Sequence, residues 1–303
     1  MIKRLLGIVP VIFGVLLLTF LLVHLVPGDP VEVMLGESAS SMDRTQLRAD
    51  LGLDQPLLQQ LGSYISKLAH GDFGRSIHTK TEISQLLAQR IPNTARLALL
   101  ALVIAIAIGL PLGVVAALNA NKWPDGLATV TSLTFSAMPH FWLGPLLMLV
   151  FALWLGWLPV SGMDNATSII LPALTLGFGL AAILTRMTRA SLLEVLHEDF
   201  VRTARAKGLP ENQIILRHAL RAALLPIVTV LGLQLGGLLA GTVITETVFS
   251  WDGIGRLLVE SIEKRDYPVT QACVLVIALT YVVVNALTDV VYMRVDPRVR
   301  FAA

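Results

Sequence analysis

The feature that most constrains this chain is a series of apolar runs, each long enough to cross a membrane. A helix needs about 20 consecutive apolar residues to span the hydrocarbon of a bilayer. The chain is 55% hydrophobic and only 15% charged, whereas a typical soluble domain carries about a quarter charged residues. Six runs are predicted as spans: residues 7–26, 94–118, 127–155, 169–188, 226–248 and 271–293. The sequence therefore predicts an all-α integral membrane protein with six transmembrane helices.

The first run resembles the apolar core of a signal peptide, because Lys3 and Arg4 precede it. It is longer than the usual core of about 7–15 apolar residues, and no small-x-small cleavage site follows it. We therefore predict a retained transmembrane helix that ends at Pro27-Gly28-Asp29-Pro30, a strong helix stop.

The basic residues indicate how the chain is oriented. With the N-terminus placed in the cytoplasm, 13 of the 23 Lys and Arg residues fall in inner segments. Short cytoplasmic segments of membrane proteins carry an excess of such residues. The pattern predicts that both termini are cytoplasmic and that residues 28–93 lie outside.

Residues 28–93 are too many for a simple connector. Apolar residues recur there at helical spacing and predict an amphipathic helix; they are Leu57, Leu58, Leu61, Tyr64, Ile65 and Leu68. Gly71-Asp72-Phe73-Gly74 then predicts a turn. A small ordered extracytoplasmic element is expected.

A basic stretch between the fourth and fifth runs carries the most information. Gly208 suits a left-handed helix C-cap and Pro210 the first turn of a following helix, predicted over about 211–223. Residues 198–222, called the knob below, would then form two short helices around a sharp bend. Such a knob can dock in the groove of a partner protein. Spacing alone leaves an alternative open, namely a basic inner loop attracted to anionic lipid.

The knob resembles the EAA loop of binding-protein-dependent ABC importer permeases, where Glu-Ala-Ala is followed by three residues, a glycine and a later Leu-Pro. Here the pattern reads Arg202-Thr203-Ala204, then Gly208, then Leu225-Pro226. The departures at Arg202 and Thr203 are those of the oligopeptide, dipeptide and nickel permease branch.

Further matches to this branch extend along the whole chain. They are Pro27-Gly28-Asp29-Pro30, Leu51-Gly52-Leu53-Asp54-Gln55-Pro56, Gly71-Asp72-Phe73-Gly74, Trp157-Leu158-Pro159, Arg217-His218-Ala219-Leu220-Arg221, Glu246-Thr247-Val248-Phe249, Arg265-Asp266-Tyr267-Pro268-Val269 and Asp296-Pro297-Arg298. One departure is Trp251-Asp252-Gly253, where the family usually has Trp-Pro-Gly; it bears on the outer loop before the sixth span.

The resemblance implies a type-I ABC importer permease fold in a bacterial inner membrane. Residues 1–93 would hold the first helix and the extracytoplasmic segment, and residues 94–303 a five-helix core whose coupling loop is the knob. The implied partners are a second homologous permease, two ATPases that bind ATP and Mg²⁺, and a periplasmic or lipid-anchored substrate-binding protein. Besides these and the membrane lipid, no nucleic-acid partner is expected. The residues implied to couple to the ATPases are Glu198, Asp199, Arg202, Thr203, Ala204, Arg205, Ala206, Lys207, Gly208, Arg217 and His218.

Missing motifs argue against other classes of protein. The sequence has no Gly-x-x-x-x-Gly-Lys-Ser/Thr phosphate loop, no His-Glu-x-x-His and no Gly-x-Ser-x-Gly. Its six histidines lack metal-ligand spacing, so no metal site and no enzyme activity are predicted. Cys273, the single cysteine, is predicted as a small core residue, and the glycines at 232, 236, 237 and 241 as positions of close helix packing.

The substrate is the least determined property. Short peptides moved by alternating access are the first hypothesis, and nickel or another metal chelate, glutathione and opines are alternatives. A secondary carrier is the alternative from a different class. The few intramembrane acids, chiefly Asp289, argue against it, because a proton-coupled carrier needs a relay of such groups.

Overall fold

The computed structural model describes residues 2–25, 29–35 and 41–295, and within these ranges no β-strand forms. The helices are α1 (Ile2–His24), α2 (Pro30–Leu35), α3 (Ser41–Leu51), α4 (Leu57–Ala69), α5 (Ile83–Leu118), α6 (Trp123–Ala137), α7 (His140–Leu147), α8 (Ile170–Leu196), α9 (Asp199–Ala206), α10 (Glu211–Gln213), α11 (Leu220–Val248), α12 (Ile254–Glu263) and α13 (Tyr267–Val295). Met148–Trp154 and Ile214–Ala219 are π-helical, and Ala166–Ile169 is a 3₁₀ turn. The predicted all-α class is confirmed. Residues 26–28 and 296–303, which hold parts of two quoted motifs, lie outside the described residues.

Four helical stretches are long and apolar enough to span a membrane: Ile83–Leu118, Ala166–Leu196, Glu211–Leu238 and Tyr267–Thr288. A fifth candidate is the pair Trp123–Ala137 and His140–Trp154, if the two count as one span. The apolar part of α1, Pro10–Leu21, is shorter. The described residues thus support four or five spans, and the count of six remains a prediction.

The third predicted span is not the single helix expected over 127–155. It is broken into two helices, and the helix axis bends by 109° between them. The cause is Pro139, because proline disfavours helical geometry in the residue before it. Met138 accordingly has an extended ψ of 121°, and Pro139 itself, with ψ 143°, precedes the first turn of α7.

The second short helix predicted for the knob is not a separate helix either. After α10, the chain passes through the π-helical turns Ile214–Ala219 directly into α11. Pro226 therefore lies inside α11 instead of opening the fifth span. Proline removes only one backbone donor, and in a membrane helix its neighbours can compensate for that loss.

The chain divides into two compact units. One combines the residues up to Thr94 with Asp252–Val282, and the other combines Ala95–Trp251 with the chain from Val283 onward.

In the second unit, glycines bring α5 and α8 into contact. A Cβ added to Gly109 would lie 2.8 Å from the Cβ of Leu184, and one added to Gly113 only 2.5 Å from the Cβ of Thr188. Small residues are what allow membrane helices to approach this closely. The predicted close packing at Gly232 is confirmed, since a Cβ there would lie 1.8 Å from the Cγ2 of Thr288.

In the first unit, α4 packs against α1 as an amphipathic helix. The Tyr64 hydroxyl donates to the Oγ1 of Thr19 at 3.1 Å, and Leu58 on the other side of α4 is 81% exposed. The predicted turn is confirmed, with φ of +76° at Gly71 and +79° at Gly74.

The same unit contains the two remaining features singled out from sequence. Cys273 is fully buried in an apolar cluster, which confirms it as a core residue. Asp252 pairs with Arg90 at 2.6 Å and with Arg256 at 3.0 Å. At the Trp251-Asp252-Gly253 departure, charge pairing thus joins α5 to the loop before α12.

Candidate functional site

The first half of the knob is a short amphipathic helix. Glu198 is extended, with ψ 149°, and α9 begins at the next residue. Val201 and Ala204, three positions apart, are buried at 0% and 7% exposure. The other coupling candidates on α9 are all exposed: Asp199, Arg202, Thr203, Arg205 and Ala206. The helix therefore has one apolar side that anchors it and one polar side that faces outward.

A Schellman motif ends α9. The Leu209 N–H donates to the Ala204 carbonyl at 3.3 Å, and the Gly208 N–H donates to the Arg205 carbonyl at 2.9 Å. This pair of bonds requires a left-handed residue at Gly208, whose φ is +75°. The predicted glycine C-cap is confirmed. Pro210, expected in the first turn of the next helix, instead precedes that turn in an extended conformation, with ψ 142°.

An ion pair crosses the bend. The Nε of Arg205 donates to the Oε1 of Glu211 at 2.7 Å, and this hydrogen bond raises the pKa of Arg205. The two side chains are 44% and 57% exposed, so water screens the pair and its contribution to stability is below about 1 kcal/mol. Its geometric effect is to connect the end of α9 to the start of α10.

The knob is attached to the rest of its unit by an apolar cluster. Val201 and Ala204 pack with Ile214 and Ala219 of the π-helical turns, and the cluster continues to Leu192 of α8. It also contains Ala117 of α5, Leu184 of α8 and two residues of α11, Ala223 and Ile227. The knob therefore shares one apolar cluster with three long helices.

The outer face of the knob carries two exposed apolar side chains that the sequence analysis did not single out. Phe200 is 44% exposed and Leu216 is 62% exposed, and their sequence neighbours Asp199 and Arg217 are exposed as well. Exposed apolar side chains are what a docked partner protein could bury. The sequence offered one signal for them: Phe200 directly follows Asp199, and Leu216 directly precedes Arg217.

A second interaction missed from sequence lies between α6 and α8. Arg189 makes a two-pronged contact with Asp125, from Nε at 2.5 Å and from Nη2 at 2.7 Å. The backbone N–H of Asn121 also donates to this carboxylate, at 2.9 Å. Two residues 64 positions apart thus stabilise the start of α6 against α8. Nothing in the local sequence pairs them.

No three His, Cys, Asp or Glu side chains in the described ranges are placed so that they could hold a metal ion.

Comparison with known proteins gave concordant matches. The family model described as binding-protein-dependent transport system inner membrane component matches residues 109–301, and the model for the N-terminal part of such membrane components matches residues 1–98. The glutathione transport system permease protein GsiC of Escherichia coli strain K12 is 45% identical over 300 residues, 99% of this chain and 98% of that protein. The protein of the same name from Shigella dysenteriae serotype 1 matches to the same extent.

Two solved structures share the fold. The MetNI methionine ABC transporter, in an inward-facing conformation, aligns with a TM-score of 0.60 and 18% identity over 70% of this chain and 97% of that chain. An amino acid ABC transporter with histidines aligns with a TM-score of 0.55 and 16% identity over 70% of this chain and 94% of that chain.

Proposed function

Because the chain belongs to the family of binding-protein-dependent transport system inner membrane components, as a permease subunit of an ABC importer, we propose that it moves short peptides inward by alternating access. The 45% identical relatives are named as glutathione transport permeases. Glutathione is itself a tripeptide, so it is the first candidate within this class. Nickel or another metal chelate and opines remain alternative cargoes of the same machinery.

The knob is the proposed contact with the ATPases. The observation that carries this proposal is its two-sided construction: Val201 and Ala204 anchor it in the apolar cluster, while Arg202 and Arg205 remain exposed. A rigid bent helix of this kind can be pushed by a partner and can transmit the movement to α5, α8 and α11. The proposed coupling residues are those at 198, 199, 202–208, 217 and 218.

The proposed assembly contains this chain, a second homologous permease, two ATPases and an extracytoplasmic substrate-binding protein. The ATPases would bind ATP and Mg²⁺ and would supply the hydrolysis, because this sequence contains no phosphate-binding loop. Closure of the ATPases would push on the knob, tilt the spanning helices and open the pathway outward. In the inner membrane, the knob and both termini would face the cytoplasm. The first helix and residues 28–93 would form the part of the chain before the core at 94–303.

The decisive experiment is affinity purification of the tagged chain in mild detergent. We expect a second permease and two ATPases to co-purify, and ATP hydrolysis to rise when a glutathione-loaded binding protein is added. A chain that purifies alone, with uptake abolished by an uncoupler while cellular ATP remains, would establish a secondary carrier instead. Stimulation by a nickel-loaded or opine-loaded binding protein alone would keep the importer and change the cargo.

A further inference from the structure

A cavity of about 190 Å³ lies in the second unit, at the break between α6 and α7. Its polar lining consists of Ser136, His140 and Gln234. Apolar residues form most of the remaining wall, among them Phe135, Met138 and Leu176. No acidic residue, lysine or arginine is among the described residues that line it.

The cavity lies deep along the spanning helices. Gly179, which lines it, is about one third of the way along the 27 residues of α8, and Gln234 is near the middle of the 29 residues of α11. At 1.5 Å per residue, both positions are more than about 10 Å from the nearest helix end. Polar side chains within membrane-spanning helices are costly, and in membrane proteins they commonly mark a substrate pathway.

One hydrogen-bonding group at this cavity lacks a partner among the described residues. The Nδ1 of His140 is buried, and none of the residues that the structure describes offers it a hydrogen bond. Two glycines lie close to the ring: a Cβ added to Gly179 would lie 3.0 Å from Cε1, and one added to Gly241 would lie 3.5 Å from Nε2. The ring is thus held by packing between α8 and α11. An unpaired buried nitrogen is unfavourable, and a ligand that bonds to it could recover that cost.

We propose that this cavity is a substrate-contact site of the translocation pathway, where His140, Gln234 and Ser136 bind a free carboxylate of the transported peptide together with the adjoining peptide group. The inference rests on the proposed function, since it names the site for the proposed cargo. The imidazole, the amide and the hydroxyl can all donate to carboxylate oxygens, and the Gln234 carbonyl can accept from the peptide N–H. A site without a fixed charge holds the peptide weakly, which suits a pathway that must release its cargo.

The test uses the importer reconstituted with its partner subunits in vesicles. Uptake is measured for a labelled tripeptide with a free C-terminal carboxylate and for the same tripeptide with a C-terminal amide. We expect His140→Leu and Gln234→Leu to raise KM about tenfold for the acid and less than about twofold for the amide. The tenfold effect corresponds to loss of one strong hydrogen bond to a charged group, about 1.4 kcal/mol. The control is Thr134→Val, because the Thr134 hydroxyl is exposed on α6, the helix of Ser136, and bonds its own backbone.

A second measurement does not depend on transport rates. In a Cys273→Ala background, which removes the single cysteine, Ser136→Cys should react with a small thiol reagent. Excess tripeptide acid should slow this reaction at least about fivefold, and Thr134→Cys should show no such protection.

The possible outcomes distinguish failure of the proposed site from failure of the proposed cargo. Equal increases of KM for the acid and the amide would show that His140 and Gln234 have a purely structural role, and would overturn the site. Unchanged KM values in the variants would also overturn it. Protection of Ser136→Cys by the second permease alone would assign the cavity to that partner. A wild-type importer that takes up neither peptide would overturn the proposed cargo, whereas normal wild-type uptake with unaltered variants would overturn this inference alone.

Discussion

Arg189 holds Asp125 by two hydrogen bonds, at 2.5 Å and 2.7 Å, and so joins α8 to the first turn of α6. Asp125 is 4% exposed, and the Arg189 side chain retains 31% exposure. A carboxylate buried to this degree must be paired, because removal of its partner leaves an uncompensated charge.

Arg189→Leu should therefore destabilise the chain by about 2 kcal/mol or more, since Asp125 would remain charged and without its main partner. The loss should appear as a lower unfolding temperature in detergent. The double variant Arg189→Leu with Asp125→Asn should recover part of it, because the unpaired charge is then gone. Asp199→Asn is the control, since that side chain is 95% exposed and should change stability by less than about 0.5 kcal/mol.

Gly208→Val should uncouple transport from ATP hydrolysis while the chain still inserts in the membrane. Nothing lies within 4 Å of a Cβ added at Gly208, so the effect comes from the backbone, whose φ of +75° a β-branched residue avoids. Uptake and ATPase stimulation would be measured on the purified complex.

Two variants isolate the cause of the Gly208 effect. Gly62→Val also adds its side chain to open space, but at a position without positive φ, and should leave transport intact. Gly208→Asn should retain most activity, because Asn tolerates the left-handed conformation. Normal uptake in Gly208→Val would contradict the assigned role of the bend.

The Arg205–Glu211 ion pair should matter for coupling more than for stability. Arg205→Glu should reduce peptide transported per ATP hydrolysed about fivefold, because two carboxylates would then repel across the bend. The unfolding temperature should change little, since the pair is exposed. The exchange Arg205→Glu with Glu211→Arg should restore coupling. Failure of the exchange to restore coupling would mean that Arg205 contacts the partner itself.

Leu216→Ser should release the ATPases without unfolding the chain. Leu216 is 62% exposed, so its replacement opens no cavity within this subunit, but a docked partner would lose an apolar anchor. The measurement is the amount of ATPase that co-purifies, and Leu58→Ser, at an 81% exposed position on α4, is the matched control. Equal ATPase recovery from both variants would exclude Leu216 from the interface.

Gly113→Ala should destabilise the packing of α5 on α8. The added methyl group would lie 2.5 Å from the Thr188 Cβ and 2.7 Å from the Thr185 carbonyl oxygen, so one helix must move. Overpacking of this kind typically costs about 1–3 kcal/mol. Gly126→Ala should be neutral or slightly stabilising, because nothing lies within 4 Å of the added methyl group and alanine favours the helix. Thermal unfolding of both variants in detergent distinguishes the two cases.

Local chemistry made parts of the fold and of the knob predictable. The left-handed Gly208 and the turn from Gly71 to Gly74 follow from the conformational freedom of glycine alone. Hydrophobic length predicted where most spanning helices lie, and helical spacing predicted α4. The 109° break at Pro139 was missed, although the proline was visible, because prolines inside membrane helices are often accommodated without a break. The start of the fifth span predicted at Pro226 was wrong, because α11 accommodates this proline in its interior.

The sequence by itself determined the helical class, the membrane setting, the family and the local geometry of the bend in the knob, because each depends on composition or on residues within a few positions of one another. The tertiary structure decided which distant groups meet: Arg189 with Asp125, Gly113 with Thr188, and His140 with Gln234 around one cavity. Those meetings depend on how separate helices pack. Packing is set by the shapes of whole helix surfaces, which no short run of residues specifies.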